Sequence, residues 1–168
     1  MSVPASAFCS WGSSTNTARR ARLTEFGADL AVDTSDPEWV HTVLDATGGT
    51  GVDLIVDQVS GGLVTPNMRA ARILGRIVNV GRLGGQKTEF DADLHALRRI
   101  TYIGVTFRTR TPDEVAEIIR ALLADLTPAL EAGRFSIPVD SVFPLEDFAQ
   151  ALAKMRANEH FGKIVLRH

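Results

Sequence analysis

The chain has a single cysteine, Cys9, in 168 residues, so an internal disulfide and a cysteine-rich zinc site are both excluded. Nor is there an excess of basic charge. Eighteen Lys and Arg face 20 Asp and Glu, a formal net charge of −2, and such a balance offers no field of the kind a phosphate backbone selects. Nucleic acid is not expected as a partner. Long apolar runs are missing as well: Val52–Val56 and Ile100–Phe107 fall far short of the ~20 residues a membrane helix needs. No charged-then-apolar leader opens the chain, so no membrane contact is expected and the reading is cytoplasmic. Internal repeats, low-complexity tracts and blocks of like charge are absent, which leaves no linker visible by composition. What remains is an ordinary globular composition, 45% apolar and 23% charged with 14 Gly and 7 Pro, for which one domain is the default.

Short β-branched runs alternate with segments of helical period, and that alternation marks an α/β fold, a parallel sheet covered by helices. The runs are Ser6–Trp11, Leu30–Asp33, Val52–Asp57, Arg76–Val80 and Ile100–Phe107. The third and fourth read as strands buried on both faces, which need helices on either side.

Helix starts are signposted by side-chain chemistry. Ser35 with Glu38 three residues later has the spacing of a capping box, and Trp39, Val40, Val43 and Leu44 supply an apolar face before Gly48. Thr111-Pro112-Asp113-Glu114 repeats the signal with Pro at the first helical position, followed by Val115, Ile118, Ile119, Leu122, Leu123 and Leu126 on one stripe. Pro128 is expected to kink or restart that helix and Gly133 to end it. A third helix is expected over Glu146–Ala157, between extended runs at Val139–Phe143 and Lys163–Leu166. After Gly133 the alternation thus becomes strand, helix, strand, which divides the chain at 1–133 and 134–168.

Five ordered stretches carry a resemblance: Arg22 to Asp29, Thr47 to Asp57, Gly75 to Gly81, Phe143-Pro144-Leu145-Glu146 and Gly162 to Leu166. Together they resemble medium-chain dehydrogenases/reductases, and within them the zinc-independent quinone oxidoreductase-like branch, over almost the whole chain. The resemblance implies a Rossmann-like coenzyme domain and reduction of a quinone or enone with NADPH, or alcohol dehydrogenase-like chemistry. It also implies parts that are not here. Members carry an N-terminal catalytic domain, and a first Rossmann strand whose glycine-rich turn and following helix hold the cofactor pyrophosphate. In this chain the clusters Gly48-Gly49-Thr50-Gly51, Gly61-Gly62 and Gly81-Arg82-Leu83-Gly84-Gly85 give no GxGxxG between strand and helix.

In the strand order 3-2-1-4-5-6 that missing strand is central, and its neighbours each lose a ladder partner over about five residues. At ~1–3 kcal/mol for each buried unsatisfied group, the loss rivals the ~5–15 kcal/mol of net stability a domain has. Three remedies are open: direct pairing of the flanking strands, a strand from another copy, or a separate N-terminal half.

By the same resemblance, residues 134–168 pack on the catalytic domain in the family, and the cofactor contacts are Ser13, Ser14, Arg19, Val59, Gly81 and Phe107. Ser14 stands where NAD-preferring relatives carry an acid, and Arg19 where a basic residue is usual; a hydroxyl with a cation suits the 2′-phosphate of NADPH. The alternative is a polar turn capping a helix, with Arg19 in a solvated trio with Arg20 and Arg22. Val59, Gly81 and Phe107 would line the nicotinamide and its ribose, or else Val59 and Phe107 are core and Gly81 is a turn needing positive φ. The family usually has Gly where Ser60 stands, and Lys163 is either a phosphate contact or a surface lysine at a strand start.

Other chemistries find less support. His41, His95, His160 and His168 lack metal-ligand spacing and are expected to be solvated, so no metal is predicted. Cys9 is expected to be a small core residue inside its strand. Gly81 to Thr88 misses a P-loop only at Gln86, which keeps a nucleotide-binding alternative open. A second alternative is a non-catalytic assembly module. The edge run Ile100–Phe107 is apolar and predicts a homodimer.

Overall fold

The computed structural model describes residues 9–134 and 137–168, in two compact units, Met1–Phe107 and Arg108–His168. In the first, β1 (Trp11–Ser13) is followed by α1 (Thr17–Arg22), β2 (Leu30–Val32), α2 (Trp39–Ala46), β3 (Val52–Asp57), α3 (Val64–Ala70), β4 (Ala71–Asn79), α4 (Ala92–Arg98) and β5 (Thr101–Gly104). All pairings are parallel, but they fall into two sheets. β1 pairs with β2, and β3–β4–β5 form a second sheet in which Ile55, Ile77 and Tyr102 lie level. β1 and β3 do not pair, so direct closure by the flanking strands does not occur.

Hydrophobic burial explains why the two sheets nevertheless belong to one unit. Trp39 and Val43 of α2 and Ala70 of α3 bury against Val32, with Trp11 of β1 and Ile55 of β3 packed on the same cluster. Val64 and Met68 of α3 meet Ile77 and Ile100 in a second cluster that Leu94 of α4 and Tyr102 flank. Helices α2, α3 and α4 therefore all cover the face that carries Ile55 and Ile77. Residues alternate across a strand, and the opposite face is open: Leu54 is 50% and Val56 57% exposed. The expectation of burial on both faces is corrected, since an apolar run reads the same whether one face or two are covered.

Several local expectations are also corrected. β1 starts at Trp11, Ser6–Phe8 lie outside the described residues, and Cys9 is exposed ahead of the strand rather than in a core. The box at Ser35 and Glu38 does not form. Asp33 captures both the N–H and the hydroxyl of Ser35, Asp36 accepts the N–H of Glu38 at 2.9 Å, and α2 begins at Trp39. β4 starts five residues early because Arg72–Gly75 bulge between the pairs Val52–Ala71 and Leu54–Arg76.

In the second unit, α5 (Pro112–Glu131) starts with the expected capping box: the Thr111 hydroxyl accepts the N–H of Glu114 while Glu114 accepts that of Thr111. Contrary to expectation it runs on through Pro128, and Gly133 follows with φ +63°. A β–α–β stretch then pairs β6 (Val139–Pro144) in parallel with β7 (Lys163–Arg167) through α6 (Phe148–Arg156). Asp140 latches it, accepting the Phe161 N–H at 2.9 Å and pairing with Lys154. Lys163 is exposed at the start of β7.

Candidate functional site

Parallel strands end level, and their C-terminal ends are where a fold of this kind can hold a ligand. Here Asp57, Asn79 and Gly104 lie side by side at the ends of β3, β4 and β5. The carbonyl of Asp57 accepts the N–H groups of Val80 and Gly81 at 2.8 and 3.1 Å, which carries the ladder into the loops. Its side chain, in a residue 4% exposed, turns the chain: Oδ1 accepts the N–H of Val59 at 2.9 Å and of Ser60 at 2.8 Å, while the buried Oδ2 has no protein partner. Ser60, 7% exposed, is held at φ 59° and ψ −142°, backbone space that glycine enters freely.

The loop after β4 lies flat against the loop after β3. Gly84 donates to the Val59 carbonyl at 2.7 Å, and the Thr88 hydroxyl donates to that of Gly61 at 2.8 Å. Such backbone-on-backbone packing tolerates no Cβ: one on Gly61 would strike the Gly84 carbonyl, and one on Gly81 the carbonyl of Gln58. Gly81 is therefore needed for close approach and has no positive φ, which corrects the turn reading. On β5, burial pushes the Tyr102 phenol above its ordinary range, with the Asp57 charge adding to it and the Ser60 hydroxyl opposing.

At the end of β1, the Ser14 N–H donates to Val32 at 3.1 Å and its hydroxyl accepts the Asn16 N–H at 3.2 Å. Asn16 caps α1 by accepting the Arg19 N–H at 3.0 Å. Arg20 fastens this turn: Nη1 donates to the Ser14 carbonyl and to Asp33 Oδ2, each at 2.7 Å. The Ser35 hydroxyl, more than Arg20, holds the Asp33 carboxyl below its usual range. The solvated trio that included Arg20 is corrected, since Arg20 is half-buried on Ser14 and Asp33; the signal was an arginine one helical turn past Asn16 with an aspartate closing the next strand. Ser13 is exposed, and Arg19 is half-buried.

The expected contacts thus gather in two groups. Ser13, Ser14 and Arg19 surround the turn after β1, while Val59, 39% exposed, and Gly81 stand on the facing loops after β3 and β4. Phe107 lies three residues past β5, 59% exposed rather than core. An open groove of about 430 Å³ runs between the start of α2 and the start of α3, lined by Thr34, Trp39, Val40, Leu63 and Arg69 among others. The Gly81–Thr88 stretch does not build a phosphate loop: Thr88 is engaged with Gly61, and α4 begins only at Ala92, capped by Asp91.

Zinc has no fit here, because among the described residues no three His, Cys, Asp or Glu come together as ligands. His41 faces Asp45 at 3.6 Å, His95 stacks near Phe90, and His160 is half-buried. For a dinucleotide the fit is partial. Strand ends and close-packed glycines are present, but among the described residues no strand leads into a helix through a GxGxxG turn that a pyrophosphate could approach. Among the described residues no helix is long and apolar enough to cross a membrane.

A family model described as zinc-binding dehydrogenase matches residues 26–166. A highly reducing polyketide synthase of Leptosphaeria maculans is 29% identical over 160 residues, covering 90% of this chain and 6% of that protein. Quinone oxidoreductase-like protein 2 of Bos taurus is 27% identical over 140 residues, 83% of this chain and 40% of its own. The crystal structure of a probable oxidoreductase from Mycobacterium abscessus superposes with a TM-score of 0.77 at 26% identity, over 94% of this chain and 46% of that one. The chain thus spans less than half the length of each of these relatives.

Proposed function

The chain belongs to the zinc-binding dehydrogenase family, and from that premise we propose that it is the coenzyme-domain portion of an NADPH-dependent oxidoreductase acting on a quinone or enone, inactive by itself. One observation carries the reading: within the matched residues, three strands end level at Asp57, Asn79 and Gly104 and present Val59 and Gly81 on facing loops. Those two residues would flank the nicotinamide and its ribose, with Phe107 beyond them. Ser13, Ser14 and Arg19 would take the 2′-phosphate end, where a hydroxyl and a guanidinium favour NADPH over NADH. When bound, the cofactor supplies a hydride to the acceptor. This chain's own part is to orient the cofactor, through backbone loops held rigid by Asp57.

Inactivity alone follows from what the described residues do not provide. A pyrophosphate needs backbone N–H groups of a glycine-rich turn at a helix start, and among the described residues no strand leads into a helix through such a turn. Fluorescence titration of NADPH against the purified chain should give no saturable signal at micromolar concentration. Tight binding would overturn the view that a glycine-rich turn is required.

A second reading, a non-catalytic assembly module, is favoured by the open face at Leu54 and Val56. Turnover measured after adding a complementing polypeptide separates the two, since only the oxidoreductase gains NADPH-dependent reduction of a quinone such as menadione.

A further inference from the structure

A second concave site lies at the end of the sheet away from Asp57. Because β3, β4 and β5 run parallel, the segments that enter them, residues 49–51, 70–75 and 97–100, meet at that end. An open cavity of about 590 Å³ stands there, lined by Gly49, Thr50, Arg72, Ile73, Leu97 and Arg98. Its walls are fixed by backbone contacts. The Thr47 hydroxyl accepts the Gly51 N–H at 3.0 Å, and Gly51 lies so close to the Ala70 carbonyl that a Cβ would strike it. Arg98 Nη1 donates to the carbonyl of the fully buried Ala71 at 2.7 Å, which holds the guanidinium against the start of β4.

Two cations and no acid line this cavity, in a chain whose formal net charge is −2. Arg72 is tied through Nε to Asp53, and among the described residues no acceptor is bonded to its Nη groups. Arg98 has no carboxylate partner among the described residues, so the bond to Ala71 leaves most of its N–H donors for a ligand. Beside these guanidinium groups stand aliphatic side chains that gain little from the chain's own core: Ile73 is half-exposed and Leu97 is 72% exposed. Ile73 belongs to the bulge in which Leu74 takes φ +63°, and backbone outliers of this kind cluster where a ligand is held. Fixed positive charge and uncovered aliphatic surface thus share one cavity.

We infer that this cavity binds a phosphate monoester carried on a short aliphatic chain. Two guanidinium groups, with the Thr50 hydroxyl beside them, match the three terminal oxygens of a phosphate better than the two of a carboxylate. Gly49, at φ +81° with open space where a Cβ would stand, lets the headgroup lie against the backbone. Ile73 and Leu97 then cover the chain, exchanging contact with water for contact with methylenes. The volume is suitable, since cavities that hold small molecules run from about 300 to 1,000 Å³. Asp57, Asn79 and Gly104 stand at the other end of the same strands, so this ligand and a nicotinamide cofactor do not compete. Failure of NADPH to bind leaves the inference untouched.

The test uses the full 168-residue chain, isotopically labelled, with hexyl phosphate below its micellar concentration as the probe. Amide shifts should saturate at one probe per chain and be largest at Gly49, Thr50, Ile73, Leu97 and Arg98. Inorganic phosphate should bind at least about tenfold more weakly, the worth of two buried methylenes. Leu97→Ala, at an exposed position that the fold does not need, should shrink that difference several-fold and leave phosphate affinity unchanged. Arg98→Gln and Arg72→Gln should each weaken hexyl phosphate about tenfold, the second without touching the Ala71 carbonyl. Vesicles of phosphatidylglycerol separate the sources: a chain left in the supernatant supports a free ligand, and cosedimentation that hexyl phosphate abolishes supports a lipid headgroup. Absence of saturable binding would overturn the inference. So would phosphate binding as tight as that of hexyl phosphate, shifts confined to residues 14–19, or variants that all bind like wild type.

Discussion

The carboxylate of Asp57 and the backbone of Ser60 are joined by a 2.8 Å hydrogen bond that holds a serine in glycine's conformational space, φ 59° and ψ −142°. A backbone so placed costs of order 1–3 kcal/mol with a side chain present. Ser60→Gly should therefore stabilise the chain by about 1 kcal/mol, after the extra unfolded-state freedom of glycine is subtracted. Asp57→Ala should do the reverse, by about 2–3 kcal/mol, because two N–H groups in a buried turn lose a charged acceptor. Urea unfolding of both variants checks the pair; a neutral or destabilising glycine would mean that the Ser60 hydroxyl is worth more than the strain.

Leu74 has the same difficulty at the other end of the sheet. Its φ is +63°, and it sits in the Arg72–Gly75 bulge with 57% of its surface in water, so its side chain gains little burial for the strain. Leu74→Gly should raise stability by about 1 kcal/mol. Thermal unfolding that shows a lower midpoint instead would reveal a packing role for the leucine.

These two positions show where sequence patterns stop being informative. The run Val52–Asp57 was legible to the residue because β-branched alternation is a local property, and the start at Thr111 because capping is too. Ser35 and Glu38 have the same spacing yet form no box, since Asp33 and Asp36 lie closer to the N–H groups in question. Of the candidate site, the strand-end positions of Val59 and Gly81 were readable. The reason Gly81 is glycine was not, because it depends on Gln58 in a neighbouring loop. Arg20 was read as solvated for a similar reason: its partners, Ser14 and Asp33, come together only when β1 and β2 pair.

Acid should loosen the second unit at Asp140. The hydrogen bond from Lys154 comes first, then the Phe161 N–H, in holding this carboxyl well below the ordinary carboxylate range. A carboxyl depressed in the folded state contributes stability that is complete above its unfolded value, about 3.9, and is lost as pH falls through that value toward the folded one. Glu114, lowered chiefly by the Thr111 N–H, works in the same direction. Exchange of the Phe161 amide, corrected for its intrinsic rate, should accelerate below about pH 4. In Asp140→Asn it should be fast and nearly independent of pH across that range; unchanged protection would deny the latch.

The outer strand β5 bears on assembly. Among the described residues Thr101–Gly104 pairs only with β4, Ile103 is 38% exposed, and an exposed edge of this kind can pair with a symmetry mate. Light scattering should give a mass of twice 18.2 kDa. Ile103→Lys should return it to the single-chain value, because a charge at the junction opposes edge pairing. A wild-type chain of single mass would remove the homodimer.

Helix α5 offers an internal contrast between its two ends. At the start, Thr111 and Glu114 satisfy each other's backbone N–H groups, and Thr111→Ala should cost about 1 kcal/mol. Near the end, Pro128 lies inside the helix, where it can donate no hydrogen bond one turn back. Pro128→Ala restores that donor and should stabilise the helix by of order 1–3 kcal/mol, less than for a mid-helix proline because only three residues follow before Ala132. Far-UV circular dichroism through a urea titration should place the two variants on opposite sides of wild type. If Pro128→Ala leaves the midpoint unchanged, the last turn is frayed in solution and the helix ends, in effect, at Thr127, as its sequence suggests.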